Sequence, residues 1–132
     1  KLHIGGMQVT SIKLPNLKEV GGDVEIMGTG LRTLSGLDSL TTVGGELSIM
    51  DNAMIRDITL PELQAVSKSF IIRDNSSLDS LGEFEKLSKV GEEFEVVFNR
   101  DLLTSQIETV AEKLKGSNSI GGEVTISDNL GF

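Results

Sequence analysis

Apolar residues alternate with polar ones in short bursts that return at nearly constant spacing. Val24-x-Ile26, Leu47-x-Ile49 and Phe70-x-Ile72 are the clearest of these bursts. A period of two is the mark of a strand with one buried face. Aligning the chain on these bursts gives seven apolar columns per unit. One unit reads Val24, Ile26, Leu31, Leu34, Leu37, Leu40, Val43, and the next reads Leu47, Ile49, Ile55, Ile58, Leu60, Leu63, Val66. A third reads Phe70, Ile72, Leu78, Leu81, Phe84, Leu87, Val90, and the first residues fit as Leu2, Ile4, Val9, Ile12, Leu14, Leu17, Val20. Ile4 to Ile26 is 22 residues, the next two intervals to Ile49 and Ile72 are 23 each, that to Val96 is 24, and that to Ile126 is 30.

Repeats of this length cannot bury their apolar face alone, so the units must stack into one continuous core. Strands that recur in the same direction once per unit predict a parallel sheet. Six of them at about 4.8 Å span roughly 24 Å. The long last interval holds an insertion. Ser105-Gln106-Ile107-Glu108 has the form of a capping box, Ile107, Val110, Ala111 and Leu114 follow at helical spacing, and Gly116 is a natural stop. The spacing predicts a helix near 105–115, with shorter helical turns elsewhere.

Glycine punctuates the repeat. Val20-Gly21-Gly22-Asp23 returns as Val43-Gly44-Gly45-Glu46 and as Ile120-Gly121-Gly122-Glu123, each just before a strand. A tight turn with positive φ is the expected reason. A phosphate-cradling loop is excluded, because no pair opens a helix with a following Lys and Ser or Thr.

Three residues past the second strand position stand Asn52, Asn75, Asn99 and Asn129, with Thr29 in the equivalent place. A short amide turned inward there can bond backbone groups that the turn leaves unpaired, which predicts a structural ladder through successive coils. On these residues, together with Leu78-x-x-Leu81 and Phe84-x-x-Leu87, the sequence resembles the leucine-rich repeat superfamily. More closely it resembles the receptor L-domain type of insulin- and EGF-receptor ectodomains and related microbial surface proteins. The resemblance implies a right-handed solenoid, usually extracellular, that binds protein or glycan. The expected fold class is therefore α/β or mainly β: a right-handed leucine-rich-repeat-like solenoid over residues 1–132. No cap is evident at either end, where Phe132 aligns with Ile55 and Leu78, so a piece of a longer protein is expected.

Composition narrows the function. The chain has 132 residues, no cysteine and a formal charge of −8. Disulfides and thiolate chemistry are excluded, and the redox compartment is left open. The lack of cysteine favours a bacterial or fungal source over a vertebrate one. Net negative charge without a basic run opposes nucleic acid. No apolar run approaches the ~20 residues of a membrane span.

Candidate chemistry is sparse. His3 is the single histidine and points outward if Leu2 and Ile4 point in, so a solvated surface residue is expected and nothing suggests a catalytic triad. Asp51, Asp74 and Asp128 precede the asparagines and could attract calcium, but support of the turn accounts for them. Glu25 and Glu95 lie three strands apart, about 14 Å, beyond the ~5–9.5 Å of glycosidase carboxylate pairs. No catalytic residue, metal or cofactor is expected.

What remains is the outer face of the sheet. Its two columns supply Glu25, Ser48, Ile71 and Glu95 beside Met27, Met50, Arg73 and Val97 as the expected ligand-binding residues. Ile71, Met27, Met50 and Val97 form an apolar stripe of the kind that marks a protein contact. The function expected is a non-catalytic protein-recognition or adhesion module of an exported, cell-surface protein. Self-association through the ends or the sheet face is a second form of partnering, and scarce aromatics make glycan binding the weaker expectation. The alternative is a structural spacer or assembly element; a polysaccharide-active β-helix enzyme is the least favoured.

Overall fold

The computed structural model describes residues 1–82, 84–116 and 119–131; the terminal position Phe132 lies outside them. Among the described residues twelve strands and one helix follow in chain order: β1 (Leu2–Gly5), β2 (Glu19–Val20), β3 (Val24–Met27), β4 (Thr42–Val43), β5 (Leu47–Met50), β6 (Asp57–Ile58) and β7 (Ala65–Val66). Then come β8 (Phe70–Arg73), β9 (Ser80–Leu81), β10 (Lys89–Val90), β11 (Phe94–Val97), α1 (Thr104–Gly116) and β12 (Val124–Ser127). Every pairing between these strands is parallel. The chain is a β-solenoid in which each coil contributes one strand to a six-stranded sheet ordered β1-β3-β5-β8-β11-β12. A second sheet, β10-β7-β4-β2, and a short third, β6-β9, line the other sides.

The seven columns become the interior. From Val24 to Val90 every column residue is buried, most with no measurable exposure. The segments between strands close by i to i+3 bonds, as from Leu37 N–H to the Leu34 carbonyl (3.1 Å) and from Leu63 N–H to the Leu60 carbonyl (3.2 Å). Phe70 centres an aromatic cluster, with ring centroids 5.6 Å from both Phe84 and Phe94.

The glycine pairs act differently from expectation. None of Gly21, Gly22, Gly44, Gly45, Gly121 and Gly122 adopts positive φ. In the second and third pairs the requirement is distance between coils: a Cβ on Gly44 would collide with the Gly21 carbonyl, and one on Gly121 with that of Gly91, whereas a Cβ on Gly21 would meet open space. Neighbouring coils bond here directly, Gly44 N–H to the Val20 carbonyl at 2.7 Å.

Positive φ falls instead on the residue after each long strand. Gly6, Gly28, Asp51, Asp74, Phe98 and Asp128 occupy this place with φ of 105°, 64°, 55°, 54°, 57° and 57°. Glycine and aspartate tolerate the left-handed region, which accounts for the aspartate column. Phe98 does not belong to that set.

α1 begins one residue before the expected span and ends one after it. Ser105 is not its cap: Thr104 starts the helix, its N–H (2.9 Å) and hydroxyl (2.8 Å) both donating to the Leu130 carbonyl. Ile107, Val110, Ala111 and Leu114 face the core. Gln106 finishes the edge of β9, its Oε1 accepting from Leu81 N–H and its Nε2 donating to the Asp79 carbonyl, each at 3.1 Å.

Candidate functional site

Strand register fixes what the outer face of the large sheet can present. One column runs His3, Glu25, Ser48, Ile71, Glu95, Thr125, and its neighbour runs Gly5, Met27, Met50, Arg73, Val97, Ser127. All eight residues singled out from the sequence lie on this one face. They are not equally available. Ser48 and Val97 are only 2% and 3% exposed, the Ser48 hydroxyl being turned into a 2.6 Å bond to Glu46 Oε1. Alternation gave these two the correct side of the sheet but could not show that neighbours cover them. Met27, Met50 and Ile71 are half-buried and Arg73 is exposed, so the accessible stripe is narrower than expected.

Charges bracket that stripe. At the β1 edge, Glu25 Oε1 meets Lys1 Nζ at 3.1 Å and His3 Nδ1 at 3.2 Å. The Lys1 hydrogen bond first, and the His3 bond second, hold the Glu25 carboxyl below the usual glutamate range, against an opposing desolvation cost. On the other side, Arg73 Nε lies 3.9 Å from Glu95 Oε2 and 4.0 Å from Asp74 Oδ2, and its guanidinium sits 6.0 Å from the centroid of the Phe98 ring. That distance is within cation–π reach.

Phe98 is the residue that sequence reasoning missed. It is 46% exposed and holds a backbone conformation that a bulky side chain resists. The signal was present: a column of Gly, Gly, Asp, Asp, x, Asp marks a left-handed position, and a phenylalanine in it is an outlier. Phe98 also interrupts the aspartates, so Asp74 and Asp128 are not neighbours in the stack. Among the described residues no group of three or more His, Asp or Glu could hold a metal ion.

Behind the face, asparagines bond coil to coil. Asn52 donates its backbone N–H and its Nδ2 to Asn75 Oδ1, and Asn75 donates the same pair to Asn99 Oδ1, all at 3.1 Å. Asn99 does so to Asn129 Oδ1 at 3.0 and 3.1 Å. Each Nδ2 also reaches a strand carbonyl of the preceding coil: Ile26, Ile49, Ile72 and Val96 at 3.0, 3.0, 3.1 and 2.8 Å. Thr29 ends the series, donating both its N–H and hydroxyl to Asn52 Oδ1. Among the described residues no buried side-chain nitrogen or oxygen lacks a partner.

A parallel β-solenoid whose register is fixed by a buried amide column, and whose flat outer sheet carries thioethers, an arginine and a strained aromatic, has the build of a binding scaffold. The model of the receptor L domain family matches residues 1–90, and the chain belongs to that family. The family is one of non-enzymatic, ligand-binding domains found in extracellular receptors. No curated protein and no solved structure matches the chain. Among the described residues no helix is long and apolar enough to cross a membrane.

Proposed function

We propose that the chain is a non-catalytic protein-recognition or adhesion module of an exported surface protein, and that its contact is the outer face of the six-stranded sheet. The observation that carries this reading is the half-exposed run of Met27, Met50 and Ile71 beside Arg73 on one flat, in-register surface. Unbranched thioethers adapt to irregular partners, and arginine with aromatic side chains dominates contact energetics at protein interfaces. Of the five phenylalanines, Phe98 alone is an exposed large hydrophobic among the described residues, which leaves little for stacking on pyranose rings and favours a protein partner over a glycan. Family membership supports the extracellular setting.

The test compares three immobilised proteins against the same extracellular protein fraction: the wild type, the Met27→Ala/Met50→Ala/Arg73→Ala variant, and a Lys86→Ala control. Among the described residues Lys86 pairs only with exposed Glu62. A partner retained by the wild type and the control should fall at least about tenfold on the triple variant, since each anchor of this kind contributes about 1–2 kcal/mol. Identical retention on all three would move the contact off this face, and retention on none would favour a spacer.

A further inference from the structure

A second place on the molecule, away from the outer sheet face, is built to take a carboxylate. Arg32 and Arg56 occupy the same position in consecutive coils, with Arg56 N–H bonded to the Arg32 carbonyl at 2.9 Å. Their side chains thus leave the backbone about 4.8 Å apart. Both are exposed, and among the described residues neither guanidinium has an ion-pair or hydrogen-bond partner. Asp57, the nearest acid in sequence, turns its Oδ2 to the Thr59 hydroxyl at 2.8 Å instead. The two arginines flank contiguous hollows. One, of about 420 Å³, is lined by Met7, Thr10, Arg32 and Met54 among others, and a smaller one of about 170 Å³ lies between Arg32, Met54, Arg56 and Ser77.

We propose that this cleft binds a short acidic protein segment, in which a carboxylate lies across Arg32 and Arg56 and an adjoining apolar side chain rests on Met7 and Met54. The chemistry fits in each part. Paired guanidiniums present planar forks that match carboxylate geometry and are weakly hydrated. Met7 is 63% and Met54 43% exposed, so two flexible thioethers stand open beside the charges. The occupant is a peptide rather than an acidic polysaccharide on two grounds. No aromatic ring lines either hollow for a sugar to stack on. The net charge of −8 repels an extended polyanion, while a local carboxylate feels the arginines within the ~8 Å over which salt leaves charges unscreened. The proposal is independent of the outer-face reading, since it shares no residue with it.

The experiment titrates the isotopically labelled protein with the capped peptide acetyl-Leu-Glu-Glu-Leu-amide at low salt, following the Arg side-chain Nε–Hε resonances and the Met methyl groups by NMR. The expected result is a saturable shift of Arg32, Arg56 and Met54, with affinity at least tenfold weaker in the Arg32→Gln/Arg56→Gln variant. The matched peptide with Gln in place of Glu should leave the same resonances unmoved, a control that holds even if the double variant folds poorly. Non-saturable shifts, or equal shifts from the Gln peptide, overturn the site. Tighter binding of a sulfated oligosaccharide at the same resonances overturns the choice of a peptide.

Discussion

The coil Leu2–Val20 and the coil Leu47–Val66 place apolar residues in the same seven columns, yet they end in different environments. Leu47, Ile49, Ile55, Ile58, Leu63 and Val66 are fully buried and Leu60 is 1% exposed, whereas only Ile12 of the earlier coil is buried and its Leu14 is 36% exposed. The two coils have the same pattern but not the same neighbours: β5 pairs with a strand on each side, β1 with β3 alone. A solenoid column therefore defines how much a coil can bury, and the adjoining coils decide how much it does bury. Local stability should follow position in the stack more closely than residue type.

The asparagine column offers the sharpest test of that difference. Asn75 is fully buried between two other asparagines, and its amide satisfies the Asn52 backbone N–H, the Asn52 Nδ2 and the Ile49 carbonyl at once. Asn75→Ala leaves those groups buried without partners, each worth about 1–3 kcal/mol, so a loss of about 4 kcal/mol is expected. Asn129→Ala removes the same kind of bonds at a half-buried site where water can replace them, and should cost about 1 kcal/mol. Urea unfolding of the two variants decides it. Equal losses would mean that the column acts as one unit rather than coil by coil.

Aliphatic truncation should repeat the contrast at smaller size. Ile49 and Ile4 stand in the same column, the former without exposure and the latter only half-buried. Ile49→Ala should cost about 3 kcal/mol through lost contact and a cavity that stacked coils cannot close. Ile4→Ala should cost about 1 kcal/mol, because much of its surface is already wet. Thermal melting of both proteins measures the gap, and a ratio near one would remove position as the controlling variable.

Much of this was legible in the sequence because its signal is periodic. The six strands, their direction and register, and the helix around Ile107–Leu114 follow from apolar columns and one long interval. The residues of the outer face were legible as to side, since a strand alternates. Their accessibility was not: Ser48 and Val97 are closed off by neighbours whose placement no alternation encodes. The glycine pairs were assigned to the wrong cause, because a close approach between coils and a left-handed turn both call for glycine. The Arg32–Arg56 cleft went unnoticed for a related reason. Neither residue breaks the pattern, and only the stacking shows that they stand side by side, without partners among the described residues.

Phe98 extends the comparison from burial to backbone. Across the stack, the place after each long strand is filled by residues that accept φ near 55°, except in the coil of β11. There a phenylalanine holds φ at 57° with 46% of itself exposed, so the strain of about 1 kcal/mol is set against the burial of the other half of the ring. Phe98→Gly should therefore destabilise the fold by about 1–2 kcal/mol: relief of the strain is smaller than the combined loss of the buried half of the ring, of the Arg73 contact at 6.0 Å, and the entropy that glycine adds to the unfolded chain. Phe98→Asp, which copies the residue found in three other coils, should cost less than the glycine variant, because aspartate accepts this φ without glycine's added entropy. A fall in melting temperature for the glycine variant, larger than for the aspartate variant, checks the sign. A clear rise would show that the buried half of the ring contributes less than its exposure indicates, and that the left-handed site in this coil is a net strain rather than a consequence of packing.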